Sequence, residues 1–226
     1  AGMSTLLSLV ILTQVTGAVV AVPASADQQF EQLAASYVDE FPALSPVSAT
    51  TLGDHRYDSP LDAVSQEARA EQRAFYWGYL ARLREIDVDQ LSRANAVDHA
   101  LLNHDLNGAV WGLETLQAWA WNPLEYTGLA GGAIYGLMAR DFAPLDTRLK
   151  HVADRLEQFP RLFEQIRHTL QPARVPKIHA ETAVKQNPGV LSILDNMVRP
   201  HLDQLSQQER ERLQLAMATA KAAVDE

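Results

Sequence analysis

Phe30-Glu31-Gln32-Leu33-Ala34-Ala35-Ser36-Tyr37-Val38-Asp39-Glu40-Phe41 is the stretch whose reading decides the fold class. Phe30, Leu33, Ala34, Tyr37, Val38 and Phe41 fall at i, i+3, i+4, i+7, i+8 and i+11, one stripe of a helix with 3.6 residues per turn. Pro42 then stops it. The same period runs through the rest of the chain. Ser45 followed by Pro46 predicts a cap and first helical residue, opening a short helix that ends at Gly53. Ser65 predicts the cap of a long helix to about Ile86, with Ala68, Phe75, Tyr76, Tyr79, Leu83 and Ile86 inward. A second long helix is expected from about Arg93 to Leu116, with Val97, Leu101, His104, Gly108 and Trp111 on its inner stripe. His104 reads there as a core histidine. The break at Asp87 to Gln90 is short, so the two helices should be antiparallel neighbours.

Further along, Trp119 to Gly132 holds two Trp, one Pro and three Gly, the composition of an irregular aromatic loop. Pro144 starts another helix, Pro160 opens the next, and Gln171 to Pro176 reads as a linker. Asn187-Pro188-Gly189 is expected to interrupt the helical pattern that follows. Ser206-Gln207-Gln208-Glu209 is a capping box, ahead of a stripe of Leu213, Ala216, Ala220 and Val224. The expected fold is all-α, a bundle-like array of about eight to ten helices with no sheet. The last helix meets no Gly, Asn or Pro, and Asp225-Glu226 sit at its negative end, which suggests a truncated helix.

The first 26 residues carry no Lys, Arg, Asp or Glu. An apolar run from Leu6 to Val22 leads into Pro23-Ala24-Ser25-Ala26, the pattern of a signal peptide over residues 1–26, cut after Ala26. A positive charge before the run is missing, and an uncleaved membrane anchor is the rival reading. The Ala-Ser-Ala ending favours cleavage. Residues 27–226 then form a single helical domain placed in the secreted, periplasmic or envelope space, with no membrane partner after cleavage. The chain has no cysteine, which excludes disulfides, thiolate metal sites and a cysteine nucleophile. Its net charge of −9 argues against nucleic acid as a partner.

The residues offer little chemistry. A helical zinc site needs two His on one face with a Glu beside them, and His99 and His104 are five apart, about 140° around the helix. His151 with Asp154 and Arg155 reads as a surface cluster. No Gly-x-Ser-x-Gly elbow or phosphate loop occurs. No catalytic, cofactor-binding or metal-binding residue is expected. The aromatic segment from Trp111 to Tyr135 is the one candidate, with Trp119, Trp121, Asn122 and Tyr126 as possible walls of a cleft. The competing reading is that these rings fill the core.

Several stretches carry a family resemblance. They are Asp98-His99-Ala100-Leu101-Leu102, Asn122-Pro123-Leu124-Glu125-Tyr126, Arg140-Asp141-Phe142-Ala143-Pro144-Leu145-Asp146-Thr147-Arg148-Leu149 and Arg155-Leu156-Glu157-Gln158-Phe159-Pro160. In order and spacing the chain resembles the N-terminal part of the bacterial domain-of-unknown-function 885 family. The resemblance covers roughly residues 40 to 220. It implies an exported, mostly helical, zinc-metallopeptidase-like protein whose zinc ligands and Glu general base come from a later segment. No position here matches those residues, so the chain alone is expected to be catalytically silent. Its expected partner is a peptide, or the missing C-terminal region of the same protein. The alternative is an exported helical binding module that uses the segment from Trp111 to Tyr135.

Overall fold

A computed structural model describes residues 24–226. The apolar run at residues 6–22 therefore lies outside the described residues. In these described residues ten α-helices follow one another: α1 (Ala26–Glu40), α2 (Pro46–Leu52), α3 (Gln66–Arg84), α4 (Arg93–Trp111), α5 (Ala118–Trp121), α6 (Pro123–Met138), α7 (Leu145–Leu156), α8 (Phe159–Thr169), α9 (Lys177–Ile193) and α10 (Gln207–Asp225). Among the described residues there is no strand, and no helix is long and apolar enough to cross a membrane.

Local chemistry sets most of these boundaries. Ser25, Ser65, Ser92 and Ser206 each accept from a backbone N–H in the first turn of the helix they precede, and Ser25 and Ser206 complete capping boxes with Gln28 and Glu209. Cleavage after Ala26 would remove the cap on α1. Gly53 ends α2 with φ 94°, a left-handed conformation that a Cβ would strain. Arg148 donates to the carbonyls of Leu137, Met138 and Arg140, satisfying the end of α6.

Two apolar cores result. The larger is centred on Ala130, Ala133, Ile134 and Leu137 of α6, surrounded by Leu149, Val152 and Leu156 of α7, Phe159 and Leu162 of α8, Val190 of α9 and the α10 stripe. Arg155 crosses this core fully buried. It donates to the carbonyls of Pro46, Tyr57, Pro60 and Ala133 and to the Thr50 hydroxyl, tying α2 and the following loop to α6 and α7. The smaller core joins Phe30 and Leu33 of α1, Tyr79, Leu80 and Leu83 of α3, Ile86, and Leu106 and Val110 of α4. Helices α3 and α4 are antiparallel: Arg73 meets Glu114 at one end (2.5 Å), and Leu83 meets His99 at the other (3.1 Å).

Four sequence expectations are corrected. The inner stripe of α4 is not Val97, Leu101 and Trp111, which are 59%, 58% and 53% exposed; it is His99, Leu102, Leu106 and Val110. His104 is exposed with that outer face. Helix α4 is apolar on two sides, and the partners in α1 and α3 select one of them. The segment from Trp119 to Gly132 is no loop, since Asn122 and Pro123 start a regular helix that carries its glycines into contact with α2 and α9. Asn187-Pro188-Gly189 does not interrupt α9. The N–H absent at Pro188 leaves the carbonyl of Val184 without its helical partner, and Val184 lies on the exposed face, where a carbonyl is open to solvent. Arg155 is a buried hub and not part of a surface cluster.

Candidate functional site

A cleft of about 560 Å³ opens where the two cores meet. One wall is α3, presenting Arg69, Gln72 and Tyr76, which share a helix face by their spacing of three and four residues. The opposite wall is the end of α4 with the segment after it, and Leu129 of α6 closes the side.

That second wall has unusual backbone. After Trp111 the helix widens into a π turn, Gly112–Leu116, closed by the N–H of Gln117 donating to the Gly112 carbonyl at 2.9 Å. Gln117 itself has φ 50°, the one positive φ outside glycine among the described residues. A turn of this kind leaves carbonyls without helical partners. Two indoles supply them: Trp119 Nε1 donates to the Leu113 carbonyl and Trp121 Nε1 to that of Leu116, each at 2.9 Å. The Tyr126 hydroxyl donates to the Trp119 carbonyl at 2.6 Å, and burial pushes its pKa up to about 12, so it stays a donor.

The four residues expected as cleft walls separate in the fold. Trp119 and Tyr126 line the cleft. Trp121 turns away onto His179, ring centres 5.6 Å apart, and Asn122 caps α6 by accepting from the Leu124 N–H. Trp111 and Tyr135 face solvent. The resemblance-bearing arginines, Arg140, Arg148 and Arg155, donate to backbone carbonyls and do not line this cleft. Sequence reasoning missed Arg69. Its signal was a cation on the same face of α3 as Tyr76.

Charge in the cleft is sparse and well placed. The Arg69 guanidinium lies over the Trp119 ring at 4.1 Å and donates to the carbonyl of Val64 (2.7 Å) and the hydroxyl of Thr169 (3.3 Å). Burial lowers its pKa, while the neighbouring Tyr126 and Glu67 oppose that. Glu125 is the acid of the cleft, and burial raises its pKa.

A second cluster has the residue types of a hydrolase but not its connectivity. The Ser59 hydroxyl donates to Asp154 at 2.7 Å and lies 2.8 Å from Nδ1 of His151. With that proton given to the carboxylate, the contact to Nδ1 is satisfied by the imidazole tautomer that carries its proton there, and in that tautomer no lone pair faces the serine. Asp154 loses solvation, yet hydrogen bonds from Ser59 and Arg212 outweigh this and hold its pKa below the usual range. The cluster fastens α7 to the loop before α3 and to α10. Among the described residues no three His, Asp or Glu side chains gather as a metal ligand set. The residues present do not fit the catalytic zinc that the resemblance implies for the family.

The chain belongs to the family described as bacterial protein of unknown function (DUF885), whose model matches residues 46–226. It is also similar to a solved structure from Shewanella oneidensis described as a "putative lipoprotein of unknown function", with 27% identity and a TM-score of 0.81. That similarity covers 87% of this chain and 36% of the other, so the chain spans about a third of the length of its structural neighbour. No curated protein matches the chain.

Proposed function

We propose that this chain is the helical, ligand-contacting portion of a longer exported protein of the cell envelope, and that its contribution is the cleft at Arg69 and Trp119. One observation carries the reading: a cavity of about 560 Å³ at the seam of two cores, with an aromatic wall and a cation stacked on it. The description of the Shewanella protein as a lipoprotein supports an envelope location. The span of about a third of that protein supports a division of labour in which any hydrolytic zinc chemistry belongs to a downstream segment. On this reading the chain binds peptide without cleaving it.

Calorimetric titration of the 226-residue chain with N-acetylated pentapeptides of Ala, Leu and Phe tests the proposal. Binding that weakens about tenfold in Trp119→Ala is expected, because an aromatic wall contributes about 1–1.5 kcal/mol. Absence of binding by the unsubstituted chain sinks the ligand-contacting role. Chelator-sensitive hydrolysis of the same peptides after zinc addition would overturn the division of labour.

A further inference from the structure

The arginines of this protein divide by how their donors are used. Arg155 meets five acceptors, and Arg148 combines Asp141 with carbonyls at the end of α6. Arg69 is different. One terminal nitrogen serves both Val64 and Thr169, while Nε and the other terminal nitrogen have no acceptor among the described residues. No carboxylate of the described residues lies within ion-pair distance of it. Stacking on Trp119 and the two hydrogen bonds fix the guanidinium plane, so the open edge has a set direction. A planar edge with two parallel N–H donors matches the two oxygens of a carboxylate.

Tyr76 adds a second donor. Its hydroxyl belongs to the same face of α3, two turns on, is half-buried and has no hydrogen-bond partner among the described residues. Facing this polar strip, Leu113, Leu116, Leu129 and the Trp119 ring give an apolar surface. Glu125 lines the same cleft without an ion-pair partner and disfavours a second negative charge near it.

We infer that the cleft anchors its ligand by a single carboxylate, held by the open edge of Arg69 and the Tyr76 hydroxyl, with the ligand's apolar body against the Leu and Trp wall. The inference rests on the reading of the cleft as a peptide site and names what that site selects. The carboxylate of a peptide comes from its C-terminus or from an Asp or Glu side chain, and the two are separable.

The test compares three probes by calorimetry on the 226-residue chain: N-acetylated Ala, Leu and Phe pentapeptides as free acids, the same peptides as C-terminal amides, and amides with a central Glu. The free acids should bind about ten to a hundred times more tightly than the amides, as a charge-assisted pair requires. The Glu-containing amides recover that affinity if a side chain suffices and fail to if the chain end is read; either result assigns the source. Arg69→Gln should abolish the difference between acid and amide, and Tyr76→Phe should reduce it a few-fold. Arg69→Gln also loses the ties to Val64 and Thr169, so circular dichroism checks its fold and the acid-to-amide comparison on the unsubstituted chain decides. Equal affinity for free acids, plain amides and Glu-containing amides overturns the carboxylate anchor and leaves the peptide cleft standing. Absence of binding by all three probes overturns both, and an undiminished acid preference in a folded Arg69→Gln chain overturns the role of Arg69.

Discussion

The two cores of this protein are held by different means. Around α6 the apolar residues enclose a polar hub, in which Arg155 gathers carbonyls from three separate segments, and buried Asp58 and Asp62 lie close enough to favour its charge. The core of α1, α3 and α4 has no such hub. It relies on ring packing, with Tyr79 4.7 Å from Phe75 and edge-on to Tyr37 at 5.2 Å, and on the Tyr79 hydroxyl donating to Glu40 at 2.8 Å. The first arrangement specifies one geometry, because each carbonyl left unmet in the interior is costly. The second carries its polar ties at the helix ends, Arg73 to Glu114 and His99 to the Leu83 carbonyl, and leaves Val38, Val97 and Leu101 exposed on its outside. The cleft belongs to the border between them, one wall tied to each.

Removing the hub is the strongest way to break this comparison. Arg155→Leu should destabilise the protein by about 3–5 kcal/mol in denaturant unfolding, because it strands buried carbonyls together with Asp58 and Asp62. A loss below about 1 kcal/mol would mean that packing alone holds the larger core. Next in size is the smaller core, where Leu106→Ala should cost about 2–5 kcal/mol. Leu101→Ala, five residues earlier on the exposed side, should change stability by no more than about 0.5 kcal/mol. Similar costs for the two would show that α4 packs on both faces.

Acid sharpens the comparison from the other end of the chain. Hydrogen bonds from Ser206 and an ion pair with Lys150 lower the Glu209 pKa from 4.5 to about 2. A carboxyl whose folded pKa is depressed stabilises the fold above its unfolded pKa, and that contribution fades as pH falls between those two values. Stability of the α10 region should drop across that window, and Glu209→Gln should flatten this part of the profile; an unchanged profile refutes the assignment. A small gain is expected at Gly132, where an added Cβ would meet Cγ1 of Val47 at 3.5 Å, an ordinary contact. Gly132→Ala should raise stability by about 0.4–1 kcal/mol through helix propensity, measured by thermal unfolding. A decrease would show that α2 and α6 sit closer than this spacing.

How far the sequence was legible follows the same division. The α10 stripe of Leu213, Ala216, Ala220 and Val224 is buried as its period requires, since one apolar face leaves one solution. Helix α4 offers two faces, and only contacts with Phe30 and Leu83, distant in sequence, choose between them. The glycines of α6 look like loop residues until α2 and α9 arrive to use the space beside them. Aromatic concentration led to a segment that forms one wall of the cleft. It could not separate Trp119 from Trp121, because a π turn resets the helical angle between Trp111 and both of them. Arg69 was invisible since an exposed helix arginine and one stacked in a cleft are written with the same letter.

The π turn between α4 and α5 also bears on how this wall can change. Such a turn holds one residue more than an α-helical turn would, and the left-handed Gln117 then ends the helix before α5. Each residue advances a helix by about 100°, and a single deletion within Gly112–Leu116 would turn the residues up to Gln117 by that angle and displace the start of the segment that carries Trp119. The Trp119 ring would leave the guanidinium, and both indole N–H groups would lose the carbonyls they satisfy. A change of length at this one place therefore reshapes the cleft wall, and through the Tyr126 hydroxyl on the Trp119 carbonyl it also pulls on the larger core.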